Sequence, residues 1–265
     1  MNDDITTEFQ APPPEKIEPP EQAEMSEPAT IFNVFLEPGR VFEDLRKKPR
    51  FIIGGLIIAI LVTGYAFGLR AKFGEDGIRR FALEQLDKNP RTADLTKEQK
   101  ENAIDLQLKI GGYVRYAIPI FVFVTMLLGG LLYWLAAKAF GGDGGFLNNV
   151  SVFIYSGIPP AVVSMIANFL VLYFKSTDEI DLATSQSSVI HANPAMFMDG
   201  KAMPLLATLV GTLDLFTIWG WILAAIGLRK VNKLKSGSAW AIVFIFAFVG
   251  VIFRLVGAYF SGNAN

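Results

Sequence analysis

Five apolar stretches, residues 51–69, 117–137, 150–174, 205–228 and 239–260, divide the chain, and charged or turn-forming residues bound each of them. A helix rises about 1.5 Å per residue, so about 20 residues cross a hydrocarbon layer of about 30 Å, whereas a barrel strand needs only about 10. Lipid offers a backbone amide no partner, and stretches this long therefore span as helices. A water-soluble domain buries one such helix on occasion. Five of them, separated by polar connections, specify an all-α polytopic membrane protein built as a five-helix transmembrane bundle. The first stretch is the shortest. It lacks charge and stands between Arg46, Lys47, Lys48 and Arg50 on one side and Arg70 and Lys72 on the other, cations suited to snorkel toward headgroups.

The polar remainder is not uniform. Residues 1–30 hold Pro12, Pro13, Pro14, Pro19, Pro20 and Pro28 with Asp3, Asp4, Glu8, Glu15, Glu18, Glu21, Glu24 and Glu27, against Lys16 as their cation. Such a segment buries too little apolar surface to offset its ordering entropy, so it reads as a disordered, acidic, Pro-rich tail. No cleaved secretory signal is expected, because the first apolar run starts only at Phe51 and is too long for one. The absence of cysteine excludes disulfides, thiolate metal sites and thiol nucleophiles. A net charge of −1 sums the acidic tail and a mildly basic remainder, and neither suggests nucleic-acid binding.

Orientation follows from cations close to span ends. Arg40, Arg46, Lys47, Lys48 and Arg50 precede the first span, Lys138 follows the second, and Arg229, Lys230, Lys233 and Lys235 lie between the fourth and fifth. These fall on one side of a five-span protein. The expectation is a multi-pass protein of the inner (cytoplasmic) membrane with the amino end in the cytoplasm and the carboxyl end outside. The first extracytoplasmic loop, 70–116, is also rich in cations, but acids interleave them and most lie away from the span ends. Its periodicity predicts a helix through Ile78, Phe81, Ala82 and Leu86 up to Asn89-Pro90. Thr96 and Gln99 form a capping box for a second helix ending near Gly111-Gly112. Residues 31–50 carry Phe32, Phe35, Leu36, Val41, Phe42 and Leu45 ahead of the basic run, a pattern suited to an amphipathic helix lying on the cytoplasmic membrane surface.

Four landmarks then occur in order: Phe35-Leu36-Glu37-Pro38-Gly39-Arg40-Val41-Phe42-Glu43-Asp44-Leu45 followed by Pro49; Gly141-Gly142-Asp143-Gly144-Gly145-Phe146; Tyr155-Ser156-Gly157-Ile158-Pro159; and Asp214-Leu215-Phe216-Thr217-Ile218-Trp219 leading to Gly227-Leu228. With five spans over residues 51–265, this resembles bacterial members of the YIP family of Ypt/Rab-interacting membrane proteins. The resemblance marks Pro38, Phe42, Gly141, Gly142, Tyr155, Pro159, Asp214 and Trp219 as motif positions. It implies a five-span membrane domain with a cytosolic amino end; eukaryotic relatives act in vesicle traffic and bind Rab-type GTPases. The first loop and a third loop, 175–201, are longer than in compact relatives.

Charges at membrane depth cost about 2.5–3.5 kcal/mol on insertion scales, so each asks for a partner. Asp214 shares a helical face with Ala207, Gly211 and Ile218, and Arg254 shares one with Gly250 and Gly257. Antiparallel fourth and fifth spans would bring Asp214 and Arg254 to similar heights, which predicts an intramembrane ion pair serving either helix registry or a proton- or substrate-linked site, the alternative being an Arg254 that snorkels outward from near the outer end. In the third span Ala161, Ser164 and Asn168 form a small polar face, and Pro159-Pro160 predicts a kink. Gly64 and Gly68 form a close-packing seam, within the bundle or between protomers of a homo-oligomer.

Enzyme chemistry finds no support. His191 is the lone histidine, Ser156 lacks a nucleophile-elbow setting, and Gly141 to Gly145 is followed by no Lys-Ser or Lys-Thr. No cofactor is implied. The residues point to a non-enzymatic membrane-organising, trafficking-like or scaffold protein whose partners are the lipid bilayer and membrane or cytoplasmic proteins. The rival class is a small transporter or lipid-handling carrier using Asp214, Arg254 and the third span. An odd span count and no evident inverted repeat stand against it.

Overall fold

The computed structural model describes residues 22–261 except 90, 91, 93, 187 and 199–201, with the side chains of 260 and 261 also left aside. Most of the acidic tail, 1–21, lies outside the described residues. Among the described residues eight α-helices follow in order: α1 (Glu27–Asn33), α2 (Pro38–Lys47), α3 (Ile52–Lys88), α4 (Lys97–Ala139), α5 (Phe146–Phe174), α6 (Pro204–Gly211), α7 (Leu215–Asn232) and α8 (Ser236–Ser261). No strand occurs among the described residues. The all-α polytopic class expected from the sequence is the class observed.

α3, α4, α5 and α8 are each long and apolar enough to cross a membrane. The fourth apolar stretch is not one helix. α6 and α7 meet at a bend of 44° over a short break, the geometry of a broken span or a re-entrant loop. The break falls where Asp214, in extended backbone, turns its side chain onto the amides of Phe216 and Thr217 as the N-cap of α7. A carboxylate satisfies the orphan donors of a helix start far better than it tolerates a helix interior in lipid.

α5 is the axle of the bundle, packed against α3, α4 and α7, with Val150, Val152, Ile154, Tyr155 and Ile158 all but inaccessible. It runs as one helix through Pro159-Pro160. α4 crosses α5 closely because Gly130 has no side chain: a Cβ there would lie 2.5 Å from the Val150 Cα. Large apolar side chains of α4 and α8, among them Phe121, Leu128, Phe248 and Phe253, point outward and meet lipid.

Between the second and third membrane ends the helices run past the bundle. α3 continues to Lys88, bending at Gly74, whose φ of 65° is left-handed and open to glycine. The Thr96 and Gln99 capping box starts α4 as expected, but α4 does not stop at Gly111-Gly112; it runs unbroken into the second span. The first loop is therefore an extension of two spans, not a separate hairpin. Helix elongation adds one hydrogen bond per residue, and two glycines alone do not stop it.

The amino-terminal segment departs furthest from expectation. Ser26 caps α1, accepting from the Ala29 amide, so residues from 22 onward are structured and the tail is shorter than 1–30. Val41, Phe42 and Leu45 are fully buried against α5 and α7, while Phe32 and Leu36 remain 66% and 67% exposed. α2 thus packs into the bundle's end as a plug. Its apolar face is covered by protein because Gly227 leaves room: a Cβ there would lie 2.9 Å from the Phe42 ring.

Candidate functional site at the basic end

One end of the bundle gathers the C-termini of α2, α4 and α7 and the starts of α3, α5 and α8. Its framework is a chain of buried polar contacts. Arg50, just before α3, donates to the Asp44 carboxylate on α2 at 2.5 Å, to the Thr30 hydroxyl at 3.2 Å and to the Met25 carbonyl. The other Asp44 oxygen accepts from the amides of Glu24 and Met25. The two side chains are 8% and 4% exposed. Burial pushes the Asp44 carboxyl upward, but the guanidinium and the two amides outweigh it and hold it below the usual carboxylate range. Arg50 is therefore an internal clamp on the amino-terminal peptide, not the snorkelling anchor its position in a basic run suggested. Removing one member of such a pair costs about 3–5 kcal/mol.

A second contact set ties the 141–145 turn to α7. Gly141 closes α4 with a φ of 81°, and Gly142 donates to the Ala137 carbonyl at 2.8 Å. A Cβ at Gly144 would lie 2.3 Å from the Asn232 amide oxygen, so the turn must be glycine for α7 to approach. Asn149 and Asn232, both essentially inaccessible, exchange two side-chain hydrogen bonds of 2.9 Å. Asn148 donates to the carbonyls of Leu45 and Arg46 at 2.8 and 2.9 Å, satisfying the C-terminus of α2. Lys233 ends α7 in the left-handed conformation, with a φ of 53°.

On this framework Arg46, Lys47, Arg229, Lys230 and Lys233 converge with Glu43 around a cleft of about 430 Å³. Lys230 donates to Glu43, and that hydrogen bond, opposed by burial and aided by Arg46 and Lys47, keeps the Glu43 carboxyl below its ordinary range. Lys233 pairs with Asp143 at 3.1 Å and Lys47 with Glu24 at 3.3 Å.

The remaining candidate residues divide. Pro38, Phe42, Gly141 and Gly142 belong to this end. Tyr155 and Pro159 lie in the α5 core, and the Tyr155 hydroxyl is buried without a hydrogen-bond partner. Trp219 meets Phe35 edge-on at 6.4 Å. Gly64 and Gly68 face Phe169 and Leu172 of α5, so that seam closes within the bundle. At the other end, Asn168 accepts from the Ser188 hydroxyl and the Val189 and Ile190 amides, and Asp214 accepts from the Ala192 amide at 2.9 Å. Ser164 bonds its own helix, to the Ala161 carbonyl. Asn168 and Asp214 hold the third loop onto the bundle instead of bridging spans. Arg254 is exposed on α8, and no ion pair joins it to Asp214. The expected pair fails because Asp214 is already spent on a helix cap and a loop.

Two of the four landmarks that resembled a family meet at this end, and comparison decides the matter: the Yip1 domain matches residues 32–258. The chain belongs to the Yip1 family. Membrane protein YknW of Bacillus subtilis (strain 168) is 26% identical over 242 residues, which cover 91% of this chain and 93% of that protein. No solved structure matches the chain. As a Yip1-family protein with four apolar membrane-crossing helices and a bent pair, it is a multi-pass membrane protein. The pairing of Asp44 with Arg50 and the roles of Thr30 and of the asparagines 148, 149 and 232 were not among the expectations from sequence. The signal available was polarity out of place: Asn148-Asn149 stands at the mouth of the third apolar stretch, and Asn232 interrupts the basic run after the fourth.

Proposed function

We propose that this Yip1-family protein is a non-enzymatic membrane organiser or scaffold that works through its basic end, held in the inner membrane with that end and the amino terminus in the cytoplasm. The observation that carries this reading is the Arg50 and Asp44 clamp, which fixes the amino-terminal helices as a rigid part of the bundle. That rigidity presents exposed Phe32 and Leu36 beside a ring of cations. Cations gather at this end as the positive-inside tendency requires of a cytoplasmic face. A rigid, amphipathic, basic face suits contact with an anionic leaflet and with proteins docked there. Crosslinking in cells through residues placed at Arg40 or Lys235, followed by identification of what is captured, tests the reading. A reproducible protein partner lost on Arg50→Ala is expected. A reporter active only in the cytoplasm should work at the amino end and fail at the carboxyl end.

One feature favours a carrier as the second reading. The fourth crossing is broken at Asp214, and interrupted helices with an acid at the break recur in transporters. Solute uptake by proteoliposomes that Asp214→Asn abolishes, without loss of folded protein, would replace the scaffold reading.

A further inference from the structure

The cleft between α2 and α7 is the least explained feature of the basic end. Its volume of about 430 Å³ falls within the range of about 300–1,000 Å³ that small-molecule sites occupy. Two ordinary reasons place cations at such an end, and neither accounts for five. Helix C-termini attract them, but α2 and α7 each contribute about half a negative charge and so together offset about one of the five cations. Snorkelling cations are distributed around a bundle wherever hydrocarbon ends. These converge from two helices on one concavity.

The convergence is fixed by buried and half-buried asparagines. Asn148 holds the end of α2, and the Asn149 and Asn232 pair holds the end of α7. The carboxylates that meet the lining lysines, Glu24, Glu43 and Asp143, are all largely exposed, and exposed pairs are worth about 0–1 kcal/mol, so a stronger anion can displace them. Arg229 stands exposed at the rim. Arginine forks and lysine point charges together are the chemistry that recognises phosphate oxygens.

We propose that this cleft is a binding site for clustered phosphate oxygens, presented by the headgroup of an anionic phospholipid or by a soluble polyphosphate. Its place at the level where the spans end, with Phe32 and Leu36 exposed on the neighbouring hairpin, suits the lipid source. The proposal rests on reading the basic end as the contact-making face, but the two fail separately. A protein that binds phosphate here and captures no partner loses only its scaffold role.

The test uses the full chain, purified and delipidated in a neutral detergent at physiological salt, with two probes: cardiolipin, and inorganic tripolyphosphate. Replacing Arg229, Lys230 and Lys233 by Gln should weaken binding on the order of 100-fold. Replacing Arg40, Lys138 and Lys235 by Gln removes the same charge from the same end outside the cleft, and should weaken it by less than about threefold. Glu43→Gln should tighten binding. Should the triple cleft variant not fold, Arg229→Gln and Glu43→Gln carry the test in opposite directions. Loss confined to the cleft variant supports the site, and the probe showing it names the source. Equal loss in both triple variants, no change on Glu43→Gln, or no binding of either probe by the natural chain overturns it.

Discussion

At the basic end, Arg50 and Asp44 pair with side chains 8% and 4% exposed; on the far side, Arg79 and Asp105 pair with side chains 45% and 60% exposed. Both are arginine–aspartate contacts, the first between residues six apart in the chain and the second between residues 26 apart. The first also binds a hydroxyl, a carbonyl and two amides, and it cannot be exchanged for water. The second, like Lys100 with Asp87 nearby, is a solvated link between the long extensions of α3 and α4. Burial, not residue type, decides which pair determines structure.

The largest expected effect sharpens this contrast. Arg50→Ala should lower stability by about 3–5 kcal/mol, read as a fall in the unfolding midpoint in detergent, and Arg50→Met with Asp44→Leu should restore much of it. A loss equal in the single and double variants would show that the clamp acts through packing and not through its charges. Gly144→Val comes next. Its side chain must displace Asn232, at a cost of about 1–3 kcal/mol, and Asn149 loses its exchange with Asn232, keeping only the Gly145 carbonyl.

The contrast also has a pH signature. The Asp44 carboxyl sits below its ordinary range in the folded protein, so its contribution is complete above the unfolded value of about 3.9 and is lost as pH falls through the lowered folded one. The unfolding midpoint should drop below about pH 4 and drop less in Asp44→Asn. Within the membrane, Asp214→Ala should cost about 1–2 kcal/mol through the lost cap, and Arg254→Ala under about 0.5 kcal/mol. Coupling between those two substitutions would reinstate the ion pair. The smallest effect belongs to Arg79→Ala, at under about 1 kcal/mol and weaker still at high salt.

Much of the site was written in recognisable residues, yet their roles were not. The Pro38 to Leu45 motif reads as amphipathic in any setting, and only the bundle shows that Phe42 meets Gly227 and α5 instead of lipid. The glycines of the 141–145 turn advertise a turn, while their necessity comes from Asn232, about 90 residues away, and no local pattern reports a contact at that separation. Asp214 was legible as a costly group, but a pairwise argument from height along two helices assumes unbroken helices.

What the chain specified unaided was its solvent and its apolar helices, because transfer of about 20 apolar residues into lipid is a local sum that needs no partner. The Thr96 capping box belongs to the same class, since its partners lie three residues apart. Tertiary structure alone decided which cations were buried, which helix broke and where five positive charges converged. Each of those outcomes depends on competing partners brought from far along the chain, and the winner is set by the cost of leaving a buried polar group unpaired.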